Sequence, residues 1–284
     1  MSEIDFVITE IPEWRTQSKT TSSMVQEILN ILNKTIRKDI PHSYMVHSIC
    51  IGESLGITDF KQIELLIQGK ISPKRKEEYE TRRIYEALDN MWSLLPHHDS
   101  KAMEEYGGLL DIHECIIKTH TIIMGHSMGG GHLCTNNRLT TYRGHTHVYP
   151  KFESHHEIEE RLRTIIDRYN TILTYKIKKN PMSFEKIQDM FKLASWFLFN
   201  FLSIHPFSDG NGRLARILYT YSMGTICPFP CTIRFIKDHT DKGQVFLDCL
   251  IQSRDTQDMG NLTSLVIESC WHDYVTYYKH FVIQ

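Results

Sequence analysis

His205-Pro-Phe-Ser-Asp-Gly-Asn-Gly-Arg-Leu-Ala-Arg216 is the stretch on which the reading of this chain turns. It follows Ser183 to Ile204, where Ile187, Met190, Phe191, Ala194, Phe197, Leu198 and Phe201 recur at the period of an apolar helix face. Proline disfavours helical geometry in the residue before it, so Pro206 ends that helix near His205 and presents the imidazole at its tip. Phe207 then supplies an apolar anchor, and Ser208 stands exposed. Gly210 and Gly212 let successive backbone N–H groups curve inward, and a second helix runs on from there to Gly224. Amides at a helix N-terminus, aligned with its dipole, favour a phosphate. Arg213 and Arg216 are nearly one turn apart, so both can meet an anion from one side. Asp209 offers a hard oxygen ligand for Mg²⁺, an ion that bridges nucleotide phosphates.

These parts compose a reaction. The turn and the cation hold a triphosphate while His205 takes a proton from an attacking hydroxyl, and pyrophosphate leaves in line. Histidine suits this step because its ordinary pKa, about 6.5, lies near working pH. Each part alone has a plainer explanation: a structural histidine, a tight turn, a solvated pair of arginines. A tight turn needs neither the preceding histidine nor the two spaced arginines, and the conjunction favours chemistry.

The same residues resemble the signature of the Fic family, HPFx(D/E)GNGRxxR, at every fixed position. Weaker similarity extends from Leu109 to Phe246, in the helix Leu109 to Met124, the Tyr142-Arg143 pair and the helix Glu157 to Asn170. The resemblance implies a mainly α Fic fold, a helical bundle with a small β-hairpin flap over the active-site loop. It implies an enzyme that moves AMP from ATP, with Mg²⁺, onto a Ser, Thr or Tyr hydroxyl of a target protein. His205 is then the base and Asp209 the metal ligand. Gly210, Asn211 and Gly212 form the nucleotide-binding turn, and Arg213 and Arg216 contact phosphate. A flap at His145, Thr146, His147, Val148 and Tyr149 would align a target peptide by β-addition. Removal of AMP, use of another donor such as UTP or CDP-choline, and a nucleotide-binding scaffold without turnover stay open as alternatives. Relatives often carry Asn four residues beyond the second arginine; this chain has Thr220, so base choice is less constrained than phosphate binding.

Many Fic proteins also carry an inhibitory helix with the pattern (S/T)xxxE(G/N), whose glutamate pairs with the second motif arginine. Ser48-Ile-Cys-Ile-Gly-Glu53-Ser-Leu-Gly-Ile-Thr58 resembles it, with Ile49 in the Ser/Thr place and Ser54 in the Gly/Asn place. On that resemblance Glu53 is an autoinhibitory residue that pairs with Arg216 and blocks the γ-phosphate. A lone glutamate on a helix is more often simply solvated.

Outward from the motif, helical periodicity dominates. Ser23-Met-Val-Gln26 reads as a capping box before an apolar face of Val25, Ile28, Leu29, Leu32 and Ile36. A helix spans Ser43 to Ser54. Thr58 caps the next, which stops at Gly69, and further helices run from Tyr79 to Leu95, Glu157 to Leu173 and Leu262 to Phe281. Leu139 to Tyr149 alternates loosely around Gly144 and predicts a short hairpin. The expected organisation is an N-terminal helical region over 1–106, with the inhibitory helix at 43–55, and a catalytic core with C-terminal helices over 107–284.

A net charge of −2 on 284 residues gives no general attraction to nucleic acid or membrane. The expected partner is a target protein presenting a hydroxyl; no nucleic acid or membrane partner is expected, and a homodimer is left open. The first residues lack the pattern of a signal peptide, and no apolar run is long enough to span a bilayer. Seven cysteines without a CxxC pair read as reduced thiols, which suits a cytoplasmic or nuclear setting. Two other motifs compete. Gly125-His-Ser127-Met-Gly129 fits the GxSxG nucleophile elbow, but glycines follow where a helix is needed, and no βα alternation surrounds it. His145-Thr-His147 and His155-His156 lack carboxylate or cysteine partners at zinc spacing.

Overall fold

Ser183 sets the start of the helix that delivers the motif: its hydroxyl accepts the Lys186 amide at 3.1 Å. The computed structural model describes residues 4–9, 19–32, 42–95, 107–125, 129–142, 145–179, 182–224, 232–233 and 241–281. In chain order these form α1 (Thr21–Leu32), α2 (His42–Gly52), α3 (Phe60–Ile67) and α4 (Lys76–Ser93). A π-helical stretch (Ile112–Lys118) continues into α5 (Thr119–Met124), followed by β1 (Leu139–Tyr142) and β2 (His145–Val148). Then come α6 (His155–Ile172), with a π-helical end (Leu173–Ile177), α7 (Phe184–Ile204), α8 (Asn211–Gly224), α9 (Asp241–Thr256) and α10 (Gly260–Phe281). The protein is mainly helical, as its sequence leads one to expect. β1 and β2 form one antiparallel hairpin that pairs Leu139 with Val148 and Thr140 with His147.

α7 buries all of its expected apolar stripe. α8 is buried from Arg213 through Gly224, because α2, α4, α5 and α7 all pack against it. A helix enclosed on every side carries its polar residues into the interior with it, so Arg213 and Arg216 must find partners there. α1 packs on α7 and α10, and one apolar cluster joins Met24, Met45 and Ile49 to Phe201, Leu214 and Leu265. The N-terminal helices and the motif helices therefore share a core.

Several local expectations need correction. The Ser23 amide donates to Thr20 Oγ1 at 3.2 Å inside a helix that already starts at Thr21, so Thr20, not Ser23, does the capping. Asp59 rather than Thr58 caps α3, its carboxylate accepting the Gln62 amide at 2.7 Å; a charged acceptor is the stronger cap beside the helix dipole. α4 begins at Lys76, ahead of the expected Tyr79, because Glu78 reaches back to the Lys74 and Arg75 amides at 2.7 and 3.1 Å. Those two amides and the Arg75 side chain hold its carboxyl down to about 2. α9 had no counterpart in the sequence reading.

Ile36, Arg143, Gly144, Ser127, Cys227 and Cys231 lie outside the described residues. Among the described residues the sheet is a lone antiparallel pair, so the parallel sheet that a nucleophile elbow needs is absent there. The described cysteines, Cys50, Cys115, Cys134, Cys249 and Cys270, are free thiols. No described helix is long and apolar enough to cross a membrane.

Candidate active site

α7 closes on His205, whose left-handed backbone (φ 50°, ψ 61°) turns the chain while its N–H still donates to Phe201 O at 3.0 Å. The loop that follows is braced from within. Asn211 Oδ1 accepts the Phe207 amide at 3.1 Å, and its Nδ2 donates to the Phe207 carbonyl at 2.8 Å. Gly210 adopts φ +77°, and a Cβ there would lie 2.8 Å from Met124 Sδ. The loop is also tied to the segment before the hairpin: Cys134 N–H donates to Pro206 O at 2.8 Å, beside a β-bridge between Leu133 and Phe207.

His120, on α5, supports the loop from beneath. Its ring stacks on fully buried Phe207, centroids 3.6 Å apart. Nδ1 accepts the Gly131 amide at 2.9 Å, which leaves the proton on Nε2 to donate to the Asp209 carbonyl, also at 2.9 Å. Burial pushes the His120 pKa down to about 4; the bond to Asp209 opposes this, and the charge of Arg213 adds to it. The imidazole is therefore a neutral spacer with a fixed tautomer at neutral pH.

The two motif arginines diverge. Arg213 Nη2 meets Asp209 Oδ2 at 3.3 Å and Met124 Sδ at 3.3 Å, while Nη1 lies 3.7 Å from Glu80 on α4. Arg216 donates through Nε to Ile233 O at 3.2 Å, through Nη2 to Gly52 O at 3.0 Å, and through Nη1 to the Glu53 carboxylate. Side-chain exposure of 8% for Arg216 and 9% for Glu53 makes this a buried ion pair. The Glu53 carboxylate also presses on the start of α8, where a Cβ added at Gly212 would come within 2.8 Å of Oε1. An internal anion thus sits at the helix N-terminus that the sequence marks for phosphate.

The hairpin forms the opposite wall. Arg138 anchors its base by donating to the carbonyls of Cys134 and Pro150, with its guanidinium 5.1 Å from the Phe152 ring centroid. Thr146 and Val148 face outward, while His147 and Tyr149 turn to the cavity. Tyr149 stacks on His205 with centroids 3.6 Å apart, and His147 stands edge-on to Tyr149 at 5.1 Å. α9 completes the enclosure with Phe246, Leu247, Leu250, Ile251 and Arg254, around a cavity of about 230 Å³.

Of the residues singled out in the sequence, His205, Asp209, Gly210, Asn211, Gly212, Arg216, Glu53, His147 and Tyr149 line this one cavity. Arg213 stands behind its wall, and the His145 side chain lies outside the described residues. Asp209, with a side chain 71% exposed, presents one open carboxylate. Sequence reasoning missed His120, Glu80 and the α9 wall. The α9 residues had a signal, since Phe246, Cys249, Leu250 and Ser253 follow helical spacing. His120 and Glu80 had none, because only the packing of α4 and α5 on α8 brings them in.

The Fic/DOC family profile matches residues 105–223, which contain the whole loop. A Fido domain-containing protein of Dictyostelium discoideum is 30% identical over 123 residues, 42% of this chain and 76% of that protein. The ribonucleoside-diphosphate reductase small chain of Ostreid herpesvirus 1 (isolate France) is 31% identical over 164 residues. That match takes in 57% of this chain and only 26% of the viral protein, too small a share to carry the named activity of the whole. Among solved structures, a Fic domain-containing signaling protein of Bacteroides thetaiotaomicron superposes with a TM-score of 0.65 at 16% identity, covering 92% of this chain and 96% of its own.

Proposed function

Because the chain belongs to the Fic/DOC family, which includes AMPylases, we propose that it is a protein adenylyltransferase restrained by its own Glu53. The observation that carries this reading is the meeting of His205, the glycine turn, Asp209 and Arg216 on one cavity beneath a hairpin. The triphosphate of ATP lies along the turn, where backbone amides, the helix dipole and Arg216 offset its charge. Asp209 fits Mg²⁺, which is ordinarily held by one or two carboxylates together with substrate phosphates; when bound there it offsets phosphate charge. A target strand pairs with the hairpin and brings a Ser, Thr or Tyr hydroxyl to His205. His205 takes the hydroxyl proton as the oxygen bonds to the α-phosphorus, and the bond from that phosphorus to the β-phosphate oxygen breaks, releasing pyrophosphate.

Glu53 restrains this step by holding Arg216 and filling the phosphate end of the site. The test uses purified protein with Mg-ATP labelled separately at the α- and γ-phosphates. Label retained from the α position alone marks AMP transfer, whereas γ alone marks phosphorylation and overturns the reading. His205→Ala should abolish incorporation, and Glu53→Gly should raise it at least tenfold, in line with the 1.5–3 kcal/mol of a charge-assisted contact. A folded, ATP-binding Glu53→Gly protein with an unchanged rate would remove the brake from this account.

The position of Glu53 in the same cavity as His205 favours a second reaction there. Its carboxylate can orient a water toward an AMP-modified hydroxyl, so that the new oxygen–phosphorus bond forms as the target–AMP bond breaks. Loss of AMP release from a modified target in Glu53→Gln would support it, and unchanged release would overturn it.

A further inference from the structure

Arg254 lies on the α9 wall, one turn beyond Leu250 and Ile251, among residues that are otherwise apolar. The other guanidiniums at the site have carboxylate partners: Arg213 has Asp209 and Glu80, and Arg216 has Glu53. Arg254 has none among the described residues; its side chain meets only His147, through Nη1 to Nε2. Since Arg254 can only donate, His147 Nε2 is an acceptor there and carries no proton. Burial first, and then the charge of Arg254, push the His147 pKa down, in keeping with that tautomer. A planar fork of donors facing a shared cavity without a counter-charge is suited to a carboxylate.

The hairpin says which carboxylate. His147 and Tyr149 are two residues apart and turn to the same cavity; Tyr149 stacks on His205, and His147 contacts Arg254. A strand laid beside them repeats its side chains on one face every second residue, roughly 7 Å apart. With an acceptor hydroxyl at His205, the side chain two positions along the target reaches Arg254. The glycine turn and Arg216 line the other part of the cavity, and the adenylyl-transfer reading already assigns the donor phosphates to them.

We propose that Arg254 and His147 form a second, target-reading subsite that takes an acidic side chain, selecting hydroxyls with Asp or Glu two residues away. The proposal rests on the adenylyl-transfer reading and specifies the target class of that same site.

The experiment uses the full chain and synthetic extended peptides, each with one acceptor hydroxyl and Glu, Gln or Lys two residues before or after it. Peptide binding is measured by fluorescence anisotropy with a non-hydrolysable ATP analogue and Mg²⁺ present, and transfer is measured separately with α-labelled ATP. One of the two Glu peptides should bind about tenfold more tightly than its Gln counterpart, as expected for a charge-assisted contact, and the Lys peptide more weakly still. Arg254→Glu should invert the Glu–Lys order, while Arg254→Lys should keep it. Equal binding of the three peptides by the unaltered protein overturns the subsite whatever any variant does. So does an Arg254→Glu protein that loses affinity for the ATP analogue but keeps the peptide order, because Arg254 would then serve the donor. A Glu preference in binding without α-label transfer upholds the subsite and sinks the transfer reading instead.

Discussion

Ser54 adopts φ 53°, a left-handed backbone directly after Glu53, and its buried hydroxyl finds no hydrogen-bond partner among the described residues. That conformation costs an L-residue about 1–2 kcal/mol, which gives a physical reason for Gly or Asn in the family pattern at this place. Ser54→Gly removes the strain and the unsatisfied hydroxyl at some cost in chain entropy, and should raise stability by about 1 kcal/mol in urea denaturation. His120 supplies a second prediction at this scale. Its folded pKa, about 4, lies below the ordinary 6.5 of an unfolded chain, so the unfolded state binds the proton first as pH falls. Its contribution is complete above about pH 6.5, declines between there and about 4, and is level below, amounting to roughly 3 kcal/mol. His120→Gln, which keeps a donor for the Asp209 carbonyl, should flatten that part of a Tm-against-pH profile; an unaltered slope would show that acid sensitivity comes from elsewhere.

Among the elements, the hairpin depends most on a single residue. Arg138 holds the carbonyls on either side of it, so Arg138→Ala leaves Cys134 O and Pro150 O without that donor and loosens the flap base. If the flap seats the target, KM for a target peptide should rise severalfold in this variant, while affinity for Mg-ATP changes little; an equal loss of both would point to general unfolding. The elements also show what could be read in advance. α7 and α8 were legible because proline, glycine and a long apolar period mark their ends and faces locally. The gathering of the loop residues on one turn was legible for the same reason: it follows from immediate neighbours in the chain. The pairing of Glu53 with Arg216 was anticipated from resemblance alone, since a lone glutamate on a helix carries no spacing signal of its own. His120 and Glu80 escaped because their meaning is set by which helices pack on α8, and no local pattern encodes that. α9 escaped although its periodicity was present, because Gly243 and the polar residues at its start weakened the reading.

Over the whole molecule, the proposed function sets nucleotide binding against the internal Arg216–Glu53 ion pair. A ligand at a hundred times its Kd stabilises a protein by about 2.7 kcal/mol, and tenfold tighter binding adds about 1.4. Saturating Mg-ATP should therefore raise the Tm of Glu53→Gly more than that of the unaltered protein at the same concentration; equal shifts would mean that Glu53 does not oppose the nucleotide. The shared core limits how Glu53 can yield. Met45, Val46 and Ile49 on α2 are fully buried, so withdrawing that helix would expose apolar surface worth roughly 5–9 kcal/mol. Rotating one carboxylate off Arg216 forfeits a contact worth about 1.5–3 kcal/mol. Torsion of a single side chain is the cheaper route by several kcal/mol. Switching would then proceed without segmental opening, and amide hydrogen exchange along α2 should be as slow in the active protein as at rest.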